Sequence, residues 1–111
     1  MSKSIAELRR HPRVRASWRV TVETPGAKAL ARESIDLSPY GIKVRMDESL
    51  EPGTAARLRL ELSDRRPLHL ESVVRRADTD GPVFVFVNVS RDDVERLKAA
   101  VDSHRASELS S

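Results

Sequence analysis

The chain has 111 residues and a mass of 12.4 kDa, enough for one domain with short ends. It is 39% apolar and 33% charged, too apolar for a disordered tail and too charged for a membrane protein, and it contains no 18-residue apolar run. The start, MSKSIAELRRHPRVRA, lacks the apolar block of a signal peptide, and the absence of cysteine excludes a disulfide framework, a thiol nucleophile and a cysteine-based zinc site. These features describe a soluble domain of the cytoplasm without membrane insertion.

In chain order, the first element is a basic arm over residues 1–13. Residues 1–20 carry six basic groups, Lys3, Arg9, Arg10, Arg13, Arg15 and Arg19, against the single acid Glu7. That is +5 of a net +3, so the remaining 91 residues sum to −2. Such an arm reads either as a solvated, solubilising segment or as the docking surface for an anionic partner such as nucleic acid, acidic lipid or a phosphorylated small molecule.

From Ala16 the apolar residues recur with period two, the signature of half-buried strands. Ala16, Trp18, Val20 and Val22 alternate with polar neighbours up to the Pro25-Gly26 break. Ile35 and Leu37 lead to the Pro39-Tyr40-Gly41 turn, and Ile42, Val44 and Met46 to Pro52-Gly53. Leu58, Leu60 and Leu62 form the next run, then Leu68, Leu70, Val73 and Val74 up to Asp80-Gly81-Pro82. Val83 to Val89 is apolar on both faces, which predicts a more enclosed strand. Six short antiparallel strands hide their edges by closing into a small barrel. After Val89 the period changes: Ser90 and Asp93 make a helix cap, and Val94, Leu97 and Val101 form one helical stripe. The expected architecture is mainly β, a six-stranded antiparallel barrel with one C-terminal helix over residues 14–102 and a disordered polar tail over 103–111.

Catalysis has little support in this inventory. His11, His69 and His104 are scattered without metal-ligand spacing, and no phosphate loop, nucleophile elbow or metalloprotease motif is present. The acidic pairs Asp47-Glu48 and Asp92-Asp93 fall at a strand end and in a helix's first turn, where acids are structural. The sequence therefore predicts neither an enzyme nor a cofactor or metal site.

Two constellations remain. Arg9-x-x-x-Arg13 stands just before the first strand, but with 16 arginines about two such pairs arise by chance and two occur, the other being Arg15 with Arg19. Asp36-Leu37-Ser38-Pro39-Tyr40-Gly41 is more specific: eight Asp, thirteen Ser and four Gly give an Asp-x-Ser-x-x-Gly run only about 0.03 times by chance. Read singly, the arginines are surface residues and the second run is a turn, since Asp, Ser, Pro and Gly are turn residues. Their order and their setting between alternating strands make the pair informative.

From about Leu8 to about Val101 the sequence resembles the PilZ domain family, bacterial receptors for the second messenger cyclic di-GMP. The resemblance rests on Arg9-x-x-x-Arg13 and Asp36-x-Ser38-x-x-Gly41, with Phe86-Val87-Asn88-Val89-Ser90 leading into the helix. One departure is Val83, at a place where many members carry glycine. The resemblance implies a cyclic di-GMP site formed by Arg9, Arg10, Arg13, Asp36, Ser38 and Gly41, and an effector protein as partner. Leu8, immediately before the arginines, goes in this family with one bound ligand molecule rather than two.

The chemistry of these residues suits that ligand. Arginine's planar fork matches a phosphate or the O6/N7 edge of guanine and can stack on the purine. An ionised Asp36 accepts from guanine N1–H and N2–H₂. Ser38, two residues on, is expected on the same outward face, and Gly41 is expected either to admit backbone close to the ligand or to take a positive φ. The implied mechanism is a basic arm that orders over the ligand and presents a new surface to a partner. Two other readings stand beside it: a PilZ-like protein-interaction adaptor without nucleotide, and a nucleic-acid-binding barrel, which the 4% aromatic content disfavours. Lys43, Arg45, Arg57, Arg59 and Arg75 read as solvated surface residues, Trp18 as core, and Tyr40 as either.

Overall fold

The computed structural model describes residues 13–62 and 66–109. Its elements are β1 (Val14–Arg15), β2 (Arg19–Glu23), β3 (Leu30–Ser38), β4 (Gly41–Arg45), β5 (Ala55–Glu61), β6 (Leu68–Asp78), β7 (Gly81–Val87) and α1 (Arg91–Leu109). The strands run in the order β3-β2-β5-β6-β7-β4, and β4 returns to pair with β3, so six antiparallel strands close the expected barrel. Closure leaves no unpaired barrel edge, and the period-two pattern sends one face of each strand inward. Val20, Val22, Leu37, Ile42, Val44, Leu58, Leu60, Leu68, Val74 and Phe84 fill the interior.

The run beginning at Ala16 is a strand only from Arg19, and a separate short strand, β1, precedes it. β1 and β2 lie along the same edge of β3, separated by a break at residues 16–18. Ser34 bridges that break: its Oγ accepts the Trp18 N–H at 2.8 Å and donates to the Ala16 carbonyl at 2.5 Å. The β3–β4 register shifts between Ser34 and Asp36, so Ser34 and Ile35 are both buried. A bulge of this kind re-aims the strand after it and turns Asp36 outward. β3 also begins five residues before the first apolar pair that marks it, at Leu30.

The helix is capped as expected, with Ser90 Oγ accepting the Asp93 N–H at 3.1 Å, and Leu97 and Val101 are buried. It packs against β1 and β3. It does not end at 102, and residues 103–109 are helical rather than a tail. His104 continues the stripe of Leu97 and Val101 by a further turn. Its Nε2 lies 3.1 Å from the Arg15 carbonyl, and its ring meets Trp18 edge-on at 5.6 Å. A sequence reading that counts histidine as polar misses this packing. Trp18 itself is half-buried against the core.

Gly81 sets the β6–β7 turn. Its φ is +152°, and a Cβ there would come 1.7 Å from the Val44 carbonyl oxygen. Only a residue without a side chain lets the turn lie this close to the end of β4. Among the described residues, no helix is long and apolar enough to cross a membrane.

Candidate functional site

The pairing of β1 with β3 places Val14 opposite Leu37 and Arg15 opposite Asp36, which leaves Arg13 beside the end of β3. Arg13 reaches two of the residues singled out in the sequence. Its Nε and Nη2 donate to Asp36 Oδ1 at 3.2 and 2.5 Å, and its Nη1 donates to Ser38 Oγ at 3.2 Å. The guanidinium fork is thus shared between a carboxylate and a hydroxyl, a charge-assisted arrangement that fixes its plane. The Arg13 side chain is 42% exposed and that of Asp36 24%, so the pair faces solvent.

Ser38 does not point outward with Asp36. It is buried at 3% exposure because β3 ends there and the buried Pro39 folds the chain over it. Its hydroxyl accepts the Tyr40 N–H at 3.3 Å and donates to the Gly41 carbonyl at 3.4 Å. Only the lone pair facing Arg13 looks toward the site. Gly41 also has a different reason from either expected one. Its φ is not positive, and a Cβ would come 2.7 Å from the Phe84 carbonyl oxygen, so it serves the approach of β4 to β7. Arg9 and Arg10 lie outside the described residues, as does Leu8. Tyr40 is half-buried, and its carbonyl accepts the Phe86 N–H at 3.0 Å.

Lys43 is not a solvated surface residue. It stands directly opposite Asp36 across the β3–β4 ladder, yet its Nζ turns the other way, 2.6 Å from Asp80 Oδ1 and 3.1 Å from Asp78 Oδ2. Asp78 also meets Arg76 Nε at 3.1 Å. The Asp80 carboxylate, with Asp78 behind it, holds the Lys43 ammonium above its ordinary value. Lys43 in return holds both carboxyls below theirs, with help from Arg76 at Asp78. Arg45, Arg57, Arg59 and Arg75 are exposed, as expected. Val83 lies buried on β7 opposite Lys43.

Of the residues singled out in the sequence, the fold thus brings Arg13, Asp36 and Ser38 together, and around them stand Ser34, Asp78 and Asp80, which sequence reasoning passed over. Ser34 carries no local signal, because its partners are Ala16 and Trp18 in the break between β1 and β2. The acids Asp78 and Asp80, just before Gly81, carry none either, because their pairing with Lys43 follows only from the β4–β7 register.

The sequence profile of the PilZ domain family matches residues 7–103. No curated protein sequence matches the chain. Among solved structures, the chain is similar to the inhibitor of motility MotI/DgrA of Bacillus subtilis, with 21% identity and a TM-score of 0.77 over 88% of this chain and 51% of that one. The chain thus spans about half the length of that protein. It is also similar to the PilZ domain of YcgR from Escherichia coli solved with c-di-GMP (17% identity, TM-score 0.70, 91% of this chain and 95% of that one). A third similar structure is the PilZ domain of CeSA from a cellulose-synthesizing bacterium (23% identity, TM-score 0.68, 85% and 98%).

Proposed function

The chain belongs to the PilZ domain family, the family of c-di-GMP receptors, and on that premise we propose that it binds cyclic di-GMP on the outer wall of the barrel at the base of its N-terminal arm and relays the event to a partner protein. The observation that carries this reading is the union of Arg13, Asp36 and Ser38 in one hydrogen-bonded group that faces solvent.

In the ligand-free chain Arg13 and Asp36 satisfy each other. A dianionic dinucleotide offers both a better partner: phosphate or the guanine O6/N7 edge for the arginine fork, and the N1–H/N2–H₂ edge for the carboxylate. Exchange of an exposed ion pair costs little, about 0–1 kcal/mol, so the pair keeps the site pre-organised without locking it. Arg9 and Arg10 bring further positive charge from the arm, and the ordered arm forms the new surface that the partner reads. The domain does no chemistry on its ligand and acts in the cytoplasm.

Calorimetric titration with cyclic di-GMP, with cyclic di-AMP and GTP as controls, tests the proposal. Saturable, guanine-specific binding at about micromolar strength or tighter is expected, with one ligand per chain as Leu8 implies. The Arg9→Ala/Arg13→Ala variant is expected to bind none. Absence of heat at about 100 µM ligand would reject the receptor and leave the protein-interaction adaptor.

A further inference from the structure

The position of Lys43 raises a problem that the β6–β7 turn solves. In an antiparallel ladder, side chains of directly opposed residues have Cβ atoms about 4.5–5.5 Å apart, within easy reach for lysine and aspartate. Lys43 and Asp36 are opposed in this way and share the outer face, since Ile42 and Val44 on one strand and Leu37 on the other are buried. Left alone, the lysine would pair with Asp36, the one carboxylate whose acceptor atoms the ligand site needs. Instead Asp36 receives Arg13, and Lys43 is drawn to the far side by two carboxylates. Two negative partners outweigh one, and they come from the end of β6 and from the turn that Gly81 allows against Val44.

We propose that Asp78 and Asp80 are positioning residues for the ligand site, which hold Lys43 away from Asp36 so that this carboxylate stays available to Arg13 and to the guanine edge of a ligand. The ligand half of this inference rests on the receptor reading above; the charge partition itself does not. Neutralising the two acids releases Lys43, which crosses to Asp36 and competes for its oxygens. The loss of binding then comes from the lysine and not from the acids, so removing the lysine as well restores the site.

The experiment has a ligand-free arm and a ligand arm. In the ligand-free full chain, NMR contacts between the Lys43 ε-methylene and the Asp36 β-methylene are expected to be absent in the wild type and present in Asp78→Asn/Asp80→Asn. Asp80→Asn alone, which removes the nearer partner and spares Asp78, keeps the test open if the double variant does not fold, and it is expected to show the same contact more weakly. In titrations with cyclic di-GMP, the double variant is expected to bind about tenfold more weakly, and Asp78→Asn/Asp80→Asn/Lys43→Met to return to within about twofold of wild type. No Lys43–Asp36 contact in either variant would overturn the proposal. So would a triple variant as weak as the double. A wild type that takes up no ligand would end the receptor reading, while the NMR contact would still decide the charge partition.

Discussion

Two cations stand a strand apart on the outer wall of this barrel, and they are held in opposite ways. Arg13 comes from the chain before β1 and meets a single carboxylate, Asp36, with 42% of its side chain in solvent. Lys43 is fixed on β4 in the closed sheet, meets two carboxylates and is 17% exposed. An exposed cation outside the strands, held by one carboxylate and a hydroxyl, can exchange those partners for a ligand at little cost. A cation within a closed sheet, wedged between acids at the end of β6 and in the turn after it, is part of the scaffold. On the proposed function the first cluster is the ligand site, and on the further inference the second keeps that site available.

The strongest way to break the comparison is at Gly81, because the turn that holds Lys43 depends on it. An alanine there combines a disfavoured φ of +152° with a Cβ 1.7 Å from backbone, which no rotamer can relieve. Gly81→Ala is expected to cost about 3 kcal/mol or more in urea denaturation. Gly53→Ala is the control: its φ is +91° with nothing within 4 Å, so only conformational strain of about 1–2 kcal/mol is expected. Equal losses at the two glycines would show that the close approach to Val44 does not matter.

At Arg13 the expectation is reversed, with a large effect on binding and almost none on folding. Arg13→Ala removes the fork that meets Asp36 and Ser38. Affinity for cyclic di-GMP is expected to fall about a hundredfold by calorimetry. The melting transition should barely move, since an exposed pair contributes about 0–1 kcal/mol. A variant that loses stability and keeps affinity would make Arg13 a strut and end its role in the site.

Ser34 sharpens the contrast from the inside. Ser34→Ala leaves the Trp18 N–H and the Ala16 carbonyl without their side-chain partner. A buried group left unsatisfied costs about 1–3 kcal/mol, and here the loss falls on the joint that sets where β1, and with it Arg13, lies. Denaturation and ligand titration should therefore both register Ser34→Ala, the second by only about threefold. An unchanged stability would mean that the break between β1 and β2 holds itself.

How much of this was legible before the fold was known differs between the two clusters for a physical reason. Strand alternation is local, so the barrel, the inward set of Leu37, Ile42, Leu58 and Phe84, and the outward Asp36 follow from the sequence. The pairing of Arg13 with Asp36 spans 23 residues and is not itself legible; the family resemblance only assigns both residues to one ligand site. Nothing local announces that Lys43 faces Asp80, that Ser34 turns inward through a bulge, or that Ser38 is covered by Pro39. Those facts depend on which strands become neighbours. The helix runs past residue 102; the apolar stripe stops there in the sequence because His104 counts as polar in a pattern, although its ring packs like an aromatic on Trp18.

The smallest expected effect is the pH dependence of the second cluster, and its sign follows from the pairing. Asp78 and Asp80 lie below their ordinary value of 3.8, so their contribution is present above that pH and is lost as pH falls through the lower folded values. Lys43 lies above 10.5, so its contribution is complete below that pH and is lost as pH rises through the higher folded value. The stability difference between wild type and Lys43→Met is thus expected to form a plateau across neutral pH and to shrink at both ends. Urea denaturation of the two proteins from pH 3 to 11 measures it, and about 1 M salt should flatten the plateau because these side chains are solvent-accessible. A difference that stays constant through both ends would mean that Lys43 contributes through its hydrocarbon stem alone. In that case Arg13 would be held by charge and Lys43 would not, and the two clusters would no longer be counterparts.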